Sequence, residues 1–497
     1  MASTCARIDH AVPISASGPW CNGVIAPVDD RDRRLAEQGQ QIVEQARRIA
    51  ELEAMVLELV AEVRGLKAQL AKNSTNSSKP PSSDPPSVER PKAPPSGRKP
   101  GGQPGHKGHR RELIPVEEVD ERHDVKPACC SGCQCALRGE DAEPVRRQVV
   151  ELPVMKPLVI EYRLHALCCR RCGTTTRAEL PSDAPTLGFG VRLCAMVALL
   201  SGKCRLSKRT TQALLKDGFG VEVGLGSISN IERETSRTIA SAVEVAREHV
   251  RGSPVVHPDE TSWRQARRNA WLWTAATPEV TVFRIDRSRG GAVARELLGA
   301  NFDGVAVSDR YSGYSWLPVE QRQVCWAHLR RDFQEMVDRN DEGSWVGAAL
   351  LRHIRPMFRW WRQLRDGEMT RARFQVRMRA IERHVSTDLV IGSMCASDKT
   401  AGVCAQLRKL EPALWTFVRE PGVEPTNNFA ERAIRPAVLW RKGSFGTHSE
   451  NGSRFVERIL SVVASLKQQG RNALDFLVAA HRSYLAGHQS PSLLPAA

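Results

Sequence analysis

The sequence predicts a multidomain α+β protein: a long amphipathic N-terminal helix, a small cysteine-bearing β module, a helical domain, and an α/β core interrupted by a helical insertion. Three observations carry this. Apolar residues recur every seven positions from Leu35 to Leu70, two Cys-x-x-Cys pairs lie between residues 129 and 173, and from residue 253 helical periodicity gives way to short β runs. A chain of 497 residues exceeds what one hydrophobic core usually serves.

Composition narrows the class. Lys and Arg number 72 against 56 Asp and Glu, a net charge of +16 with pI about 9.5. That surplus favours encounter with a polyanion, above all nucleic acid. The longest apolar run, 193–200, is too short to span a bilayer. Residues 1–20 lack the basic start and apolar block of a signal peptide. The expectation is a cytoplasmic protein whose 14 cysteines meet a reducing compartment, where clustered thiols favour metal over disulfides.

Residues 1–30 show no period and read as a disordered tail. Over 31–72, Leu35, Ile42, Ile49, Val56, Val63 and Leu70 share one heptad register, with Leu52, Leu59 and Leu66 on the other. Mostly β-branched residues on one seam with Leu on the second favour a parallel two-stranded coiled coil. A single helix lying on the protein body would show the same stripe. The strongly polar remainder favours self-association, hence a homodimer or higher oligomer through residues 35–70. Residues 73–112 are rich in Pro, Gly and Ser, and 73–111 hold eight Lys/Arg against two acids. They read as a basic linker, serving as a solvated spacer, an arm along phosphates, or both.

Residues 113–180 hold "CCSGCQC" and "CCRRCG", separated by "RRQVVELPVM" and "LVIEYRLHAL", which alternate like a β-ribbon. Two facing Cys-x-x-Cys knuckles can set four thiolates at the corners of a tetrahedron, a closed structural Zn²⁺ site. The assignment is Cys130, Cys133, Cys169 and Cys172. Cys129, Cys135 and Cys168 offer competing ligand sets, and buried unliganded cysteines are the plainer alternative. Residues 181–250 form a helical domain with two periodic segments split by a Gly-rich turn. A helix-turn-helix with a groove-reading helix near "SISNIERET" fits, as does any small helical bundle.

Residues 251–340 carry the first part of the core. "PVVHPDE", "NAWLWTAAT" and "VTVFRID" read as three strands, "SRGGAVARELLG" as a helix, "GVAVSD" as a fourth strand and "RQVCWA" as a fifth. The order β-β-β-α-β-(α)-β is that of a ribonuclease-H-like sheet. It would set the first and fourth strands side by side and bring Asp259 and Asp309 together at their ends. Paired carboxylates repel unless a hard divalent ion, Mg²⁺ or Mn²⁺, sits between them. A helical insertion over 341–420 precedes the second part of the core, 421–470, and 471–497 read as a C-terminal helix and tail. In "EPTNNFAERAIRP", Asn427 or Asn428 can cap a helix whose first turns hold Glu431, the third acid of a two-metal centre. Cys325 and His328 in "CWAH" either bind a second metal or pack the sheet against the insertion.

These stretches together resemble a transposase of the insertion-sequence-66 family, over roughly residues 33–486. The carriers are the heptad helix followed by "NSSKPPSSD", then "GGQPGHKGH", the cysteine knuckles, "HPDET", "SDRYSGY", "CWAHLRRDF" and "NNFAERAIRP". The resemblance implies an Asp-Asp-Glu catalytic core on Asp259, Asp309 and Glu431. It also implies Mg²⁺-dependent cleavage at the ends of the element and transfer of the freed 3′-hydroxyl into target DNA. Double-stranded DNA and small accessory transposition proteins are the implied partners, in a bacterial, nucleoid-associated setting. Residues 1–30 match nothing in that pattern, and "GKCRLSKRTTQALL" fits it loosely. Two rivals use the same residues: a catalytically silent transposase-derived DNA-binding or regulatory protein, and a nuclease that cuts without joining.

Overall fold

The computed structural model describes residues 30–70, 105–106 and 111–495. The tail expected at 1–30, apart from Asp30, and most of the linker expected at 73–112 therefore lie outside the described residues. Two compact units divide the chain, 1–76 and 77–497.

In the first unit α1 (Asp30–Leu70) is one uninterrupted helix, about 60 Å long at 1.5 Å per residue. Its seam residues Leu35, Ile42, Ile49, Leu52, Val56, Leu59, Val63 and Leu66 are all exposed. Arg47 bridges Glu44 and Glu51 along the polar side at 2.8 and 3.0 Å, the three- and four-residue pairing that supports a helix in isolation.

In the second unit, the expected β-ribbon is absent. Residues 143–165 carry no regular secondary structure; β1 (Ala166–Cys168) and β2 (Thr175–Arg177) pair, antiparallel, around the second cysteine knuckle, and a single antiparallel bridge from Cys129 to Ala136 closes the first. Alternation alone does not make a strand. Pro144, Pro153 and Pro157 remove ladder donors, and Val149, Leu152, Val154, Leu158 and Val159 find no layer to cover them and stay exposed.

Four helices follow: α2 (Val191–Gly202), α3 (Lys208–Phe219), α4 (Leu225–Thr238) and α5 (Ala240–Arg251). Ser207 caps α3 by accepting from the Thr210 amide, and Gly220 ends it in the left-handed region, φ 66°. Leu215, Val223, Ile228 and Ile231 then close a small core with Cys194, Val197 and Leu200 of α2. The C-terminal helix α15 (Ala473–Leu485) packs on α2 and α4. Its buried His481 Nε2 lies 2.9 Å from Thr235 Oγ1.

The core sheet runs β5-β4-β3-β6-β7, with β3 (Val255–Gln265), β4 (Arg268–Ala276) and β5 (Thr281–Asp286) antiparallel and β6 (Val305–Ser308) and β7 (Arg322–Val324) parallel to β3. α6 (Gly291–Leu298) joins β5 to β6. The optional helix between β6 and β7 shrinks to short 3-10 turns at 312–314 and 319–321.

Both sheet edges are covered. On β5, the outward amides of Thr281, Phe283 and Ile285 donate to Ser465 Oγ, Ser461 Oγ and Glu457 Oε2 of α14 (Glu450–Gln468), at 3.0, 2.9 and 3.0 Å. A two-residue step on a strand, about 6.8 Å, matches a four-residue step on a helix, about 6 Å, so serial pairing is possible. This satisfies an edge that would otherwise recruit another strand. On the far side, the single turns α11 (Glu411–Leu414) and α12 (Thr416–Arg419) close over β7: Gln323 Oε1 accepts from the Phe417 amide at 2.8 Å, and Thr416 Oγ1 donates to Arg322 O at 2.6 Å.

Between β7 and α13 (Asn428–Ser444), α7 (Trp326–Asp338), which the sequence set at the end of the first part of the core, joins α8 (Ser344–Arg365), α9 (Arg371–Gly392) and α10 (Asp398–Lys409), which fall within 341–420, in one helical layer. It shares a core with the sheet through Val307, Val324, Trp326, Phe333, Phe374 and Phe417.

Candidate active site

β3 does not end at Asp259, as the sequence suggested; it continues for six residues, paired with β4 as far as Gln265. What ends near Asp259 is its partnership with β6. That ladder pairs Val255 with Val305 and Val256 with Ala306. Carried on by the same offset of 50, it sets Asp259 level with Asp309, just beyond the last paired residues. Alternation along β3 turns Asp259 and Glu260 to opposite faces.

Each aspartate is fixed by one oxygen. Asp259 Oδ1 accepts from the Glu260 amide and Asp309 Oδ1 from the Tyr311 amide, both at 2.9 Å. Burial pushes the Asp259 carboxyl up to about 8, Glu260 adds to the shift, and the charges of Asp309 and Glu431 reach it as well. Like charges thus crowd a half-buried place.

Glu431 sits in the first turn of α13, 39% exposed, with its amide donating to Asn427 O at 3.2 Å. His328 Nδ1, buried and without a hydrogen-bond partner, lies 3.8 Å from Glu431 Oε1.

Asn427 ties the three acids into one frame. It occupies the N-cap position of α13, as anticipated for it or Asn428, yet makes no side-chain capping bond. Its side chain crosses to β3 instead. Nδ2 donates to Pro258 O at 2.7 Å and Oδ1 lies 3.2 Å from His257 Nδ1. Its amide donates to the Cys325 thiol at 3.1 Å, and the Cys325 amide donates to Ser308 O at 2.8 Å. One buried residue therefore touches the position before Asp259, reaches the position before Asp309 through Cys325, and begins the turn that holds Glu431. His257 is held neutral, its pKa pushed down to about 4 by burial with Arg432 adding, against the Asn427 contact.

Glu260 is a buried brace. Its Oε1 accepts from Arg289 Nη2 at 2.9 Å and Nε at 3.2 Å, and its Oε2 from the Tyr314 hydroxyl at 2.9 Å. The Arg289 guanidinium lies over the rings of Tyr311 and Trp271, 4.1 and 4.6 Å from their centroids. The brace thus ties the Asp309 loop to β3 and β4. Sequence reading missed Asn427's crossing, His257, Arg289 and Arg322. Arg322, 4% exposed on β7, has two guanidinium nitrogens without partners, and Asp309 opposes the fall that burial imposes on its pKa. A lone Arg in a three-residue strand gives no sequence signal of this.

The cysteines form two matched knuckles. Gln134 and Gly173 amides donate to Cys130 O and Cys169 O at 2.9 and 2.8 Å, and the Cys130 and Cys169 amides donate to Cys135 O and Thr174 O, both at 2.9 Å. Gln134 and Gly173 take positive φ, 59° and 72°. Backbone amides of Cys133 and Gly132 lower the Cys130 pKa, and Thr174 lowers that of Cys172. None of the seven thiols from Cys129 to Cys172 is buried, so core packing does not account for them. Among the described residues no three His, Cys, Asp or Glu side chains converge closely enough to hold a metal, either here or at the acids. The donor chemistry suits the expected ions all the same: paired thiols for zinc, mutually repelling carboxylates for a hard divalent cation.

A family model described as "Transposase IS66 family" matches residues 189–454, which span the helical domain, the sheet and all three acids. The chain belongs to this transposase family. A model for a family of unknown function matches residues 27–112. The transposase is also similar to two uncharacterized proteins of Sinorhizobium fredii (strain NBRC 101917 / NGR234). It is 27% identical to y4qI over 407 residues, covering 75% of this chain and 72% of that one, and 23% identical to y4hP over 397 residues, covering 72% and 71%. Membership in the family implies an enzyme of the nuclease or transferase class that binds DNA. No helix among the described residues is long and apolar enough to cross a membrane.

Proposed function

We propose that this transposase cleaves DNA strands at the ends of an insertion sequence and joins them to target DNA through an Asp-Asp-Glu centre of Asp259, Asp309 and Glu431 on a ribonuclease-H-like core. The observation that carries the reading is the pairing of Val255 with Val305 and Val256 with Ala306, whose offset carried three residues on levels Asp259 with Asp309, with Glu431 tied to both strands through Asn427. The sheet order, three antiparallel strands followed by two parallel ones, supports the fold assignment. The three carboxylates would hold Mg²⁺ or Mn²⁺; burial, with the neighbouring negative charges added to it, raises the pKa of Asp259, and a bound cation would offset both. When bound, two such ions activate the attacking oxygen and stabilise the leaving one. The chain's own contribution is positional: Oδ1 of each aspartate is held by a backbone amide, the Glu260–Arg289 brace fixes the Asp309 loop, and Asn427 sets where α13 begins.

The remaining assignments follow the same organisation. Cys130, Cys133, Cys169 and Cys172 hold a structural zinc within 113–180, supported by the matched knuckles. The 181–250 domain, with α4 presenting Asn230 and Arg233 to solvent, contacts DNA. The exposed seam of α1 pairs two or more copies of the chain through residues 35–70.

The test is mobilisation of a marker flanked by the gene's own neighbouring DNA, with the adjacent genes supplied, comparing wild type with Asp309→Ala. Jumps with wild type alone, together with unchanged DNA binding by the variant, are expected. Equal jumps with both would remove Asp309 from the site. Cleaved but never joined products would reduce the protein to a nuclease, and intact DNA throughout would leave a binding protein.

A further inference from the structure

The 22 residues of α8 include Arg352, Arg355, Arg359, Arg362 and Arg365 and no acid. Arg352, Arg355, Arg359 and Arg362 stand at i, i+3, i+7 and i+10. At 100° and 1.5 Å per residue they share an arc of about 80° and span about 15 Å. All four are exposed. Val346, Leu350, Ile354 and Met357 occupy the opposite face and are buried in the insertion core. Trp345, 52% exposed, begins the same ridge. Trp361 turns away from it to pack on Phe374 and Phe417, and Trp360 lies under Arg377.

The ridge is uncompensated. Some helix arginines elsewhere carry a carboxylate partner within one turn, as Arg247 does with Glu244, Arg251 with Glu248, and Arg454 with Glu457. Among the described residues, none of the four ridge arginines has a carboxylate in ion-pair reach. A helix holding four like charges on one stripe without relief is poorly arranged for folding alone and well arranged for a linear polyanion. A protein partner would call for an apolar patch or pocket among the charges, and the ridge offers a convex line of guanidinium groups with one indole at its end.

We propose that this face of α8 is a contact for the phosphate backbone of duplex DNA, holding the strand on the insertion that packs beside the active site. The inference rests on the DNA-processing reading above and adds the place where the insertion takes part. Successive phosphates of one strand rise about 3.4 Å along the duplex, so about 15 Å of ridge faces four or five of them. Such contacts fix register and orientation without reading sequence. α8 packs along α7, the helix whose first turn brings His328 beside Glu431, so a strand held here is held by the layer that borders the acids.

The experiment measures affinity of the full chain for a fluorescein-labelled random duplex of about 40 base pairs across a KCl series. Four proteins are compared: wild type, the ridge variant with Arg352, Arg355, Arg359 and Arg362 all changed to Gln, the same four changed to Lys, and a control with Arg365, Arg373, Arg379 and Arg383 changed to Gln. Each phosphate contact contributes about 0.9 to the slope of log K against log salt. The ridge variant should therefore show a slope shallower by about 3 to 4. Between about 50 and about 200 mM salt, wild type should lose roughly 150-fold more affinity than the ridge variant. The Lys variant should keep the wild-type slope, and melting curves should coincide. An unchanged slope in the ridge variant, or an equal loss in the control, overturns the proposal. Wild type that binds no duplex overturns it together with the DNA-processing reading; wild type that binds and cleaves beside an unaltered ridge variant overturns the ridge alone.

Discussion

Asn427→Ala and Asn427→Asp separate two accounts of one residue. From sequence, Asn427 or Asn428 caps the helix that holds Glu431; in the structure Asn427 stands at the cap position, but its side chain makes no capping bond and reaches Pro258 O and His257 Nδ1. Alanine strands both groups in a buried place, at about 1–3 kcal/mol each, so the loss of stability should be roughly 2–5 kcal/mol. Aspartate is among the best N-cap residues, but it cannot donate to the Pro258 carbonyl and would face that oxygen with its own charge. If Asn427 acts by joining α13 to β3, aspartate fares no better than alanine. Catalysis should suffer beyond folding, because a displacement of about 1 Å at a catalytic group costs on the order of 100-fold, and Glu431 follows Asn427 by one turn. Urea melts and single-turnover strand cleavage at matched DNA occupancy measure both effects. Full recovery of stability and cleavage in Asn427→Asp would refute the reasoning and return Asn427 to an ordinary cap.

Other consequences follow. His481 is held neutral by burial, its pKa pushed down to about 4 from 6.5, despite Glu234 Oε1 at 3.9 Å. The unfolded chain then binds more protons between those values, so stability present above about pH 6.5 is lost as pH falls toward 4, by up to about 3 kcal/mol. His481→Gln should flatten that window in urea melts at pH 7 and 4.5, and an unchanged pH slope would count against it. Ser461→Ala with Ser465→Ala leaves the Phe283 and Thr281 amides bare on the β5 edge; a loss of about 2–5 kcal/mol and concentration-dependent association by light scattering are expected. Arg267→Gly should stabilise by about 0.5–1 kcal/mol in thermal melts, because Ala266 and Arg267 both hold positive φ, 51° and 64°, in the β3–β4 turn. Cys133→Ser should lose stoichiometric zinc from the full chain by elemental analysis, while full occupancy in the variant would redraw the ligand set.

What the sequence made legible depended on whether a local signal matched the force that decides. The heptad of α1, the apolar runs of β4, β5 and β6 and the Gly-marked end of α3 are local patterns, and the structure follows them. The end of β3 was misread because its hairpin turn is Ala266-Arg267, with no Gly or Asn to announce positive φ. That turn is held from outside instead: the Ala266 amide donates to Thr447 O, and the Thr447 amide to Arg264 O, at 2.8 and 2.9 Å. Gly446 lets that loop come so close, since a Cβ there would stand 2.1 Å from Arg264 O. Residues 143–165 failed in the opposite sense, for their alternation was sound and their partner was missing.

The acids show the same division more sharply. Residue type and order along the chain were enough to nominate Asp259, Asp309 and Glu431, because few arrangements justify carboxylates after successive apolar runs. Their support could not be nominated so. Asn427 looks like a cap, Cys325 like half of a metal pair and Glu260 like a mere neighbour of Asp259, and each acts across 29 to 170 residues of sequence. A cap signal and a cross-strand tie use the same amide group, and only the position of Pro258 O decides between them. Mutations at such supports should therefore mimic loss of the acids in activity while leaving every nominated catalytic residue in place.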